Sequence, residues 1–473
     1  MKKKFLLFSL ILFILSQIII FIILRQKNHI IKRIILITVD TLRADHLSSY
    51  GYPRKTSECI DRFARNGTIF HNALSPISTT SPAHASIFTS LYPLQHNVMK
   101  NGHILQDKYT TMAEILKSAE FKTAGFASTY LHFKVANMHQ GFDFYDEPNP
   151  EDTPYYRPAH ETTDAAINWI NNQDPSQKTF MWIHYFDPHG PYRTHEFFNS
   201  ASKDEEDFLA NYLMEKQHIS TTIHDNDPAK MYAVITNYDA EIHFADTQIS
   251  RFLDNMLNNG FYDNTLWIIT ADHGEGLGNH DWMEHGKNIY NEQLRVPLIM
   301  FFSSGRYKNK SIKKIVELTD ILPTLIQIIG GKAAESFKKI PNAQGTSLLP
   351  LLNDVPDSFP DKYAFAQRMM YSAESTDKLK FPDRYEPGEK YAFQSKDFKY
   401  IYRTAGNDEF FNLKKDPYET INIHGDPEFR YISRKMKDLL IDKIEQLKKG
   451  TFIEPEIADS QVIEKLRSLG YIQ

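Results

Sequence analysis

Four mostly apolar runs, rich in β-branched and aromatic residues, predict buried β-strands. They lie at Ile34–Val39, Lys178–Tyr185, Thr265–Thr270 and Val296–Phe302. Continuous apolar runs are typical of parallel strands that are covered on both faces. Apolar positions three and four residues apart predict helices between them, at Thr111–Ser118 and Asp239–Leu257. Strands that alternate with helices predict an α/β fold with a mostly parallel sheet flanked by helices.

The pattern changes at about Pro341, where Pro and Asp interrupt shorter segments. Strand-like pieces and one helix then follow, at Tyr391–Phe393, Phe398–Tyr402, Glu409–Leu413 and Arg434–Lys448. They predict a small antiparallel subdomain. The charged stretch from Asn199 to Pro228 is expected to be an irregular surface excursion. We divide the chain into an N-terminal segment (1–30), a catalytic domain (31–340) and a C-terminal subdomain (341–473).

Residues Phe5–Leu24 form an apolar run that is long enough for one transmembrane helix. Twenty helical residues span roughly 30 Å, the thickness of a hydrocarbon core. The basic start, Lys2–Lys4, also suits a cleaved signal peptide, but no small-residue cleavage site follows the run. We therefore predict a single-pass membrane protein with an uncleaved anchor and the catalytic domain on the extracytoplasmic side. Basic residues flank both ends of the run, so the positive-inside rule does not decide the orientation.

Composition excludes several classes of protein. The chain has 54 Lys and Arg residues against 59 Asp and Glu, a net charge of -5 that argues against a nucleic-acid partner. Cys59 is the single cysteine, so an intrachain disulfide and a cysteine-rich metal site are both excluded.

Acidic residues and a histidine follow two of the predicted strands. Asp40 comes directly after the first strand, and Asp272 and His273 follow the third. Because the carboxyl ends of parallel strands meet at one edge of a sheet, these side chains are expected to lie together. Carboxylate and imidazole groups suit a divalent cation. The competing interpretation is that each Asp only caps the next helix.

A hydroxyl group lies at the start of another predicted helix. The segment Thr80–Ser86 has a proline early in its first turn, which favours a helix N-terminus. Anions bind at such ends, and a neighbouring metal can activate a hydroxyl as a nucleophile. The alternative is that Thr80 and Ser81 only cap the helix.

Eight motifs, in order along the chain, resemble those of the sulfatase family. They are Val39–His46 with Tyr50–Tyr52, Thr80–His84 continuing to Thr89–Pro93, His184–Tyr192, Tyr238–Ile242, Ala271–Glu275, His285–Ile299, Asp320–Leu325 and Asn412–Thr420. The resemblance runs from about Ile34 to the end of the chain. It implies an alkaline-phosphatase-like fold, one divalent metal ion (Ca, Mg, Mn or Zn) and an anionic sulfate or phosphate ester as substrate.

The resemblance also implies roles for individual residues. The metal ligands would be Asp40, Thr80, Asp272 and His273. Thr80 would attack sulfur or phosphorus, with His285 as a proton donor. His189 and Lys287 would bind the anionic group.

Four departures from the family pattern matter for the chemistry. Thr80 stands where sulfatases have the Cys or Ser that becomes formylglycine, so that conversion is not expected. His84 replaces the arginine of the nucleophile signature, and Thr41 replaces a second aspartate. Ser128–Tyr130 replaces a Lys-Trp-His segment that binds anions in the family. Because threonine lacks the second hydroxyl of a formylglycine hydrate, we expect a preference for phosphorus esters, with hydrolysis or transfer to an acceptor.

Two alternatives remain open from the residues. Asp187, His189 and His285 could hold a second zinc, which would make a two-metal phosphodiesterase. A catalytically inactive, membrane-bound binding protein is the other. His46 and His103 are expected to be surface residues.

Overall fold

The computed structural model describes residues 31–149, 155–194, 202–369, 387–449 and 455–468. Its main sheet has eight strands: β1 Arg33–Val39, β2 Thr68–Leu74, β3 Lys122–Ala127, β4 Phe144–Asp146, β5 Thr179–Tyr185, β6 Thr265–Thr270, β7 Arg295–Phe302 and β8 Lys310–Glu317. The strand order is β4-β3-β5-β1-β6-β7-β2-β8. Only β7 runs antiparallel to its neighbours. The predicted mostly parallel sheet is therefore confirmed.

Helices surround this sheet, and their bounds follow in chain order. They are α1 Glu58–Asn66, α2 Thr80–Thr89, α3 Pro93–His96, α4 Met112–Ser118, α5 Ala159–Asn171, α6 Lys203–Glu215, α7 Pro228–Asn258, α8 Asn291–Leu294, α9 Ile321–Ile329, α10 Gly331–Phe337, α11 Leu349–Leu352, α12 Arg430–Lys448 and α13 Ser460–Ser468. The central strands β1, β5 and β6 are buried along their whole length, because helices cover both faces.

A second, four-stranded antiparallel sheet follows in the C-terminal part. Its strands are β9 Ala364–Arg368, β10 Lys390–Gln394, β11 Phe398–Arg403 and β12 Glu409–Asn412. Apolar residues of this sheet share one core with Leu74 and Ile289 of the main domain. The antiparallel C-terminal sheet is thus confirmed, and the exact domain boundaries stay predictions.

The stretch from Asn199 to Pro228 is not irregular throughout, because α6 forms within it behind the cap residue Ser202. His46 and His103 are buried, not exposed, and His46 Nδ1 lies 2.8 Å from Asp239 Oδ1.

The predicted anchor, Phe5–Leu24, lies outside the described residues and stays a prediction. Within the described ranges, no helix is long and apolar enough to cross a membrane.

Candidate active site

The sheet brings Asp40, Asp272 and His273 together at its carboxyl edge. β1 and β6 are parallel neighbours, so the residues that follow them leave the sheet side by side. All three side chains are fully buried. One potential ligand atom of each lies within 4.8 Å of the other two, and no other trio of His, Cys, Asp or Glu in the described part of the chain does so.

These three groups suit a divalent cation electrostatically. Both carboxylate oxygens of Asp40 and Oδ2 of Asp272 are buried and accept no hydrogen bond. Burial, reinforced by Glu275, raises the pKa of Asp40 to about 7 against the opposing effect of His273. Burial and then Asp40 raise the pKa of Asp272. Buried carboxylate oxygens without hydrogen-bond donors are costly unless a cation neutralises them, so these side chains fit the divalent metal that the resemblance to sulfatases implies.

Thr80 joins this group from the first turn of α2. Thr79 precedes it in an extended conformation, and the helix begins at Thr80 itself. Thr80 Oγ1 lies 3.3 Å from Nε2 of His273. The hydroxyl group therefore contacts one of the three candidate ligands, which is more than a helix cap requires.

His84, one turn further along α2, contacts the main chain of Thr80. Its Nδ1 lies 2.9 Å from the Thr80 carbonyl oxygen. Burial lowers the pKa of His84 to about 3, although Asp272 acts in the opposite direction. The residue at the signature's arginine position is therefore a neutral group that hydrogen-bonds the main chain of Thr80.

His285 lies next to His273, and His189 lies on another side of His285. The ring centroids of His285 and His273 are 4.5 Å apart, and those of His285 and His189 are 4.9 Å apart. His285 Nδ1 lies 3.2 Å from Glu275 Oε1. Burial raises the pKa of Glu275 to about 8 and, together with His273, lowers the pKa of His285. Both shifts disfavour the charged form of the group, and the two side chains lie close enough to exchange a hydrogen bond.

The remaining predicted residues lie around this centre. The Lys287 ammonium lies 4.3 Å from the ring centroid of Trp282, on the loop that carries His285. Thr41 has a φ of 57°, which is rare for a β-branched residue, and its hydroxyl is buried without a partner. Ser128, the first residue of the segment that replaces Lys-Trp-His, is buried. Its Oγ donates a hydrogen bond of 2.8 Å to the main-chain carbonyl oxygen of His184.

The residues of the proposed second metal site do not form one group. Asp187 Oδ1 accepts a hydrogen bond of 2.9 Å from the main-chain N–H of Ala159, the first residue of α5. Asp187, His189 and His285 do not form a trio of close ligand atoms in the described part of the chain. Their arrangement gives the two-metal alternative no support.

Sequence reasoning missed several buried groups at this edge. His132, His184 and Thr38 are fully buried, and His184 Nε2 lies 3.6 Å from Asp40 Oδ2. His184 opens a motif that resembles the family, but no signal in that motif assigned it a role. Thr38 resembles any other residue of a buried strand.

Comparisons with known proteins agree with this geometry. The sulfatase family model matches residues 32–331, and a model of the N-sulphoglucosamine sulphohydrolase C-terminal region matches residues 278–446. An ulvan-active sulfatase of Formosa agariphila is 26% identical over 441 residues, which cover 88% of this chain and 81% of the relative. The multifunctional alkaline phosphatase superfamily protein PehA of Trinickia caryophylli is 23% identical over 495 residues, which cover 85% of this chain and 93% of PehA.

The fold also matches solved structures. A phosphonate monoester hydrolase of Agrobacterium radiobacter superposes with a TM-score of 0.68 at 20% identity, covering 88% of this chain and 96% of the hydrolase. At that identity the match concerns the fold. The family model, by contrast, spans most of the chain and includes every residue of the candidate site. The chain belongs to the sulfatase family and is a hydrolase of the sulfuric and phosphoric ester class.

Proposed function

We propose that the protein is a one-metal ester hydrolase that uses Thr80 as its nucleophile and prefers phosphorus esters. The observation that carries the proposal is the position of Thr80 Oγ1, 3.3 Å from His273 Nε2, at a site where both oxygens of Asp40 and Oδ2 of Asp272 are buried without a hydrogen-bond donor. Asp40, Asp272, His273 and Thr80 would hold the cation. When bound, the cation would neutralise the carboxylates and favour the ionised form of the Thr80 hydroxyl.

The nucleophile favours phosphorus over sulfur. A formylglycine hydrate can release sulfate by elimination from its second hydroxyl, whereas Thr80 has one hydroxyl. In the first step the Thr80 hydroxyl would lose its proton to solvent, and its oxygen would bond to phosphorus while the bond to the leaving oxygen breaks. In the second step water would attack phosphorus while the bond to the Thr80 oxygen breaks, and a proton released by that water would restore the Thr80 hydroxyl. An acceptor alcohol in place of water would make the same step a transfer.

Two histidines would act on the substrate. The Glu275–His285 pair would protonate the leaving oxygen in the first step. His189 Nδ1 lies 2.7 Å from the carbonyl oxygen of Gly190 and donates to it, so a neutral His189 offers an acceptor at Nε2. His189 would bind an anionic oxygen only after protonation, and Lys287 is the residue of the predicted set with a permanent charge for that purpose.

The test is a substrate panel with the purified full-length protein in detergent. Aryl sulfate, aryl phosphate, bis-aryl phosphate and aryl phosphonate esters are compared with and without a chelator. We expect turnover of phosphorus esters that the chelator abolishes, and phosphorus trapped on Thr80 in a single turnover. Rapid aryl sulfate release without phosphoester turnover would contradict the proposed preference, and full activity after metal removal would contradict the metal.

A further inference from the structure

The hydroxyl group of Thr38 is the common partner in three hydrogen bonds close to the candidate cation site. Thr38 lies near the end of β1, two residues before Asp40, which directly follows that strand. Thr38 Oγ1 lies 3.0 Å from Trp182 Nε1, 3.1 Å from His84 Nε2 and 3.1 Å from His184 Nδ1. Three ring nitrogens thus converge on an oxygen atom that carries a single hydrogen.

The nitrogen of His84 that carries a hydrogen follows from which neighbouring atoms can donate and which can only accept. Trp182 Nε1 can only donate. The Thr80 carbonyl oxygen can only accept, so His84 Nδ1, 2.9 Å away, carries a hydrogen. His84 is fully buried, and the nearest carboxylate oxygen, Oδ2 of Asp272, lies 3.6 Å from its Nδ1, beyond hydrogen-bonding distance, so a positively charged imidazole would be costly there. His84 Nε2 therefore accepts, and it takes the one hydrogen of Thr38.

The assignment of His184 follows from that of His84. Thr38 has no hydrogen left to give, so His184 Nδ1 must donate to the Thr38 hydroxyl oxygen. A neutral His184 with its hydrogen on Nδ1 has a lone pair on Nε2. This Nε2 is buried without a hydrogen-bond partner and lies 3.6 Å from Asp40 Oδ2.

We propose that Thr38 is a positioning residue for the cation, because its hydroxyl group keeps the hydrogen of His184 away from Asp40. This inference rests on the proposed function, since it requires a cation at Asp40. A hydrogen on His184 Nε2 would be donated to the carboxylate and would compete with the cation for it. With a lone pair on His184 Nε2 instead, both carboxylate oxygens of Asp40 stay available to the cation, and the electrostatic potential at the cation site is more negative.

The test compares Thr38→Val with Thr38→Ser. Valine keeps the shape of threonine but removes the hydroxyl, whereas serine retains it. Binding of Mn²⁺ to metal-stripped, full-length protein in detergent is measured by titration calorimetry, which does not depend on activity. Outer groups that orient metal ligands typically contribute roughly ten- to hundredfold in metal affinity. We expect a loss of that size for Thr38→Val and an affinity close to wild type for Thr38→Ser.

A second measurement uses the wild-type protein alone and decides the case if Thr38→Val does not fold. Nitrogen-15 NMR of labelled histidines in the metal-free protein should show the hydrogen of His184 on Nδ1, with the signal identified by its loss in His184→Gln. A hydrogen on Nε2, or unchanged Mn²⁺ affinity in a folded Thr38→Val protein, overturns the inference. If the wild type itself does not bind Mn²⁺, the proposed function fails, which is a distinguishable result.

Discussion

Replacing Asp40 by asparagine should stabilise the metal-free protein while abolishing its response to metal. Burial raises the pKa of Asp40 from 3.8 to about 7, a change of roughly three units. At about 1.4 kcal/mol per unit, the ionised carboxylate costs the folded state up to about 4 kcal/mol. A carboxyl group whose pKa is raised by folding destabilises the folded state at pH values above that pKa. The full cost of ionised Asp40 therefore applies at pH 8.

The assay is urea unfolding at pH 8, followed by tryptophan fluorescence, in chelator and in Mn²⁺. In chelator the Asp40→Asn midpoint should exceed that of the wild type. In Mn²⁺ at a hundredfold excess over its Kd, the wild type should gain about 2.7 kcal/mol and the variant nothing. Asp187→Asn is a matched control, because burial also raises the pKa of Asp187 to about 7 outside the candidate metal site. It should leave the response to Mn²⁺ intact. A wild type that ignores Mn²⁺, together with an Asp40→Asn variant that is no more stable in chelator, would refute the reasoning.

Three further predictions concern the nucleophile, the proton donor and a buried ion pair. Thr80→Ala should lower kcat by at least about a thousandfold with retained metal binding, whereas Thr80→Ser should keep measurable activity. Glu275→Gln should lower kcat and flatten the alkaline limb of its pH profile, because the pKa of about 8 belongs to that carboxyl group. His280 lies 3.0 Å from Glu292, which outweighs burial and raises the pKa of His280 to about 9. His280→Gln should therefore cost up to about 3 kcal/mol in unfolding free energy below pH 6.5, and the difference from wild type should vanish as the pH rises through 9.

Much of the fold is encoded in local patterns and could be predicted from them. The runs that predict β1, β5, β6 and β7 match the observed strands to within one residue at either end. Asp40, Asp272 and His273 could be placed together because the carboxyl ends of parallel strands meet at one edge. The resemblance to the sulfatase motifs added Thr80 to the predicted metal ligands.

Side-chain partners from distant parts of the chain could not be predicted in this way. The hydroxyl of Thr38 and the ring of His184 are 146 residues apart in sequence and meet only because β1 and β5 pair in register. His46 is buried because α7 places Asp239 beside it, 193 residues away. Periodicity determines which face of an element is apolar, but strand order and register determine which polar groups converge. The sequence by itself therefore determined the strands, the family motifs and the candidate ligands, and only the tertiary structure decided the hydrogen bonds that surround them.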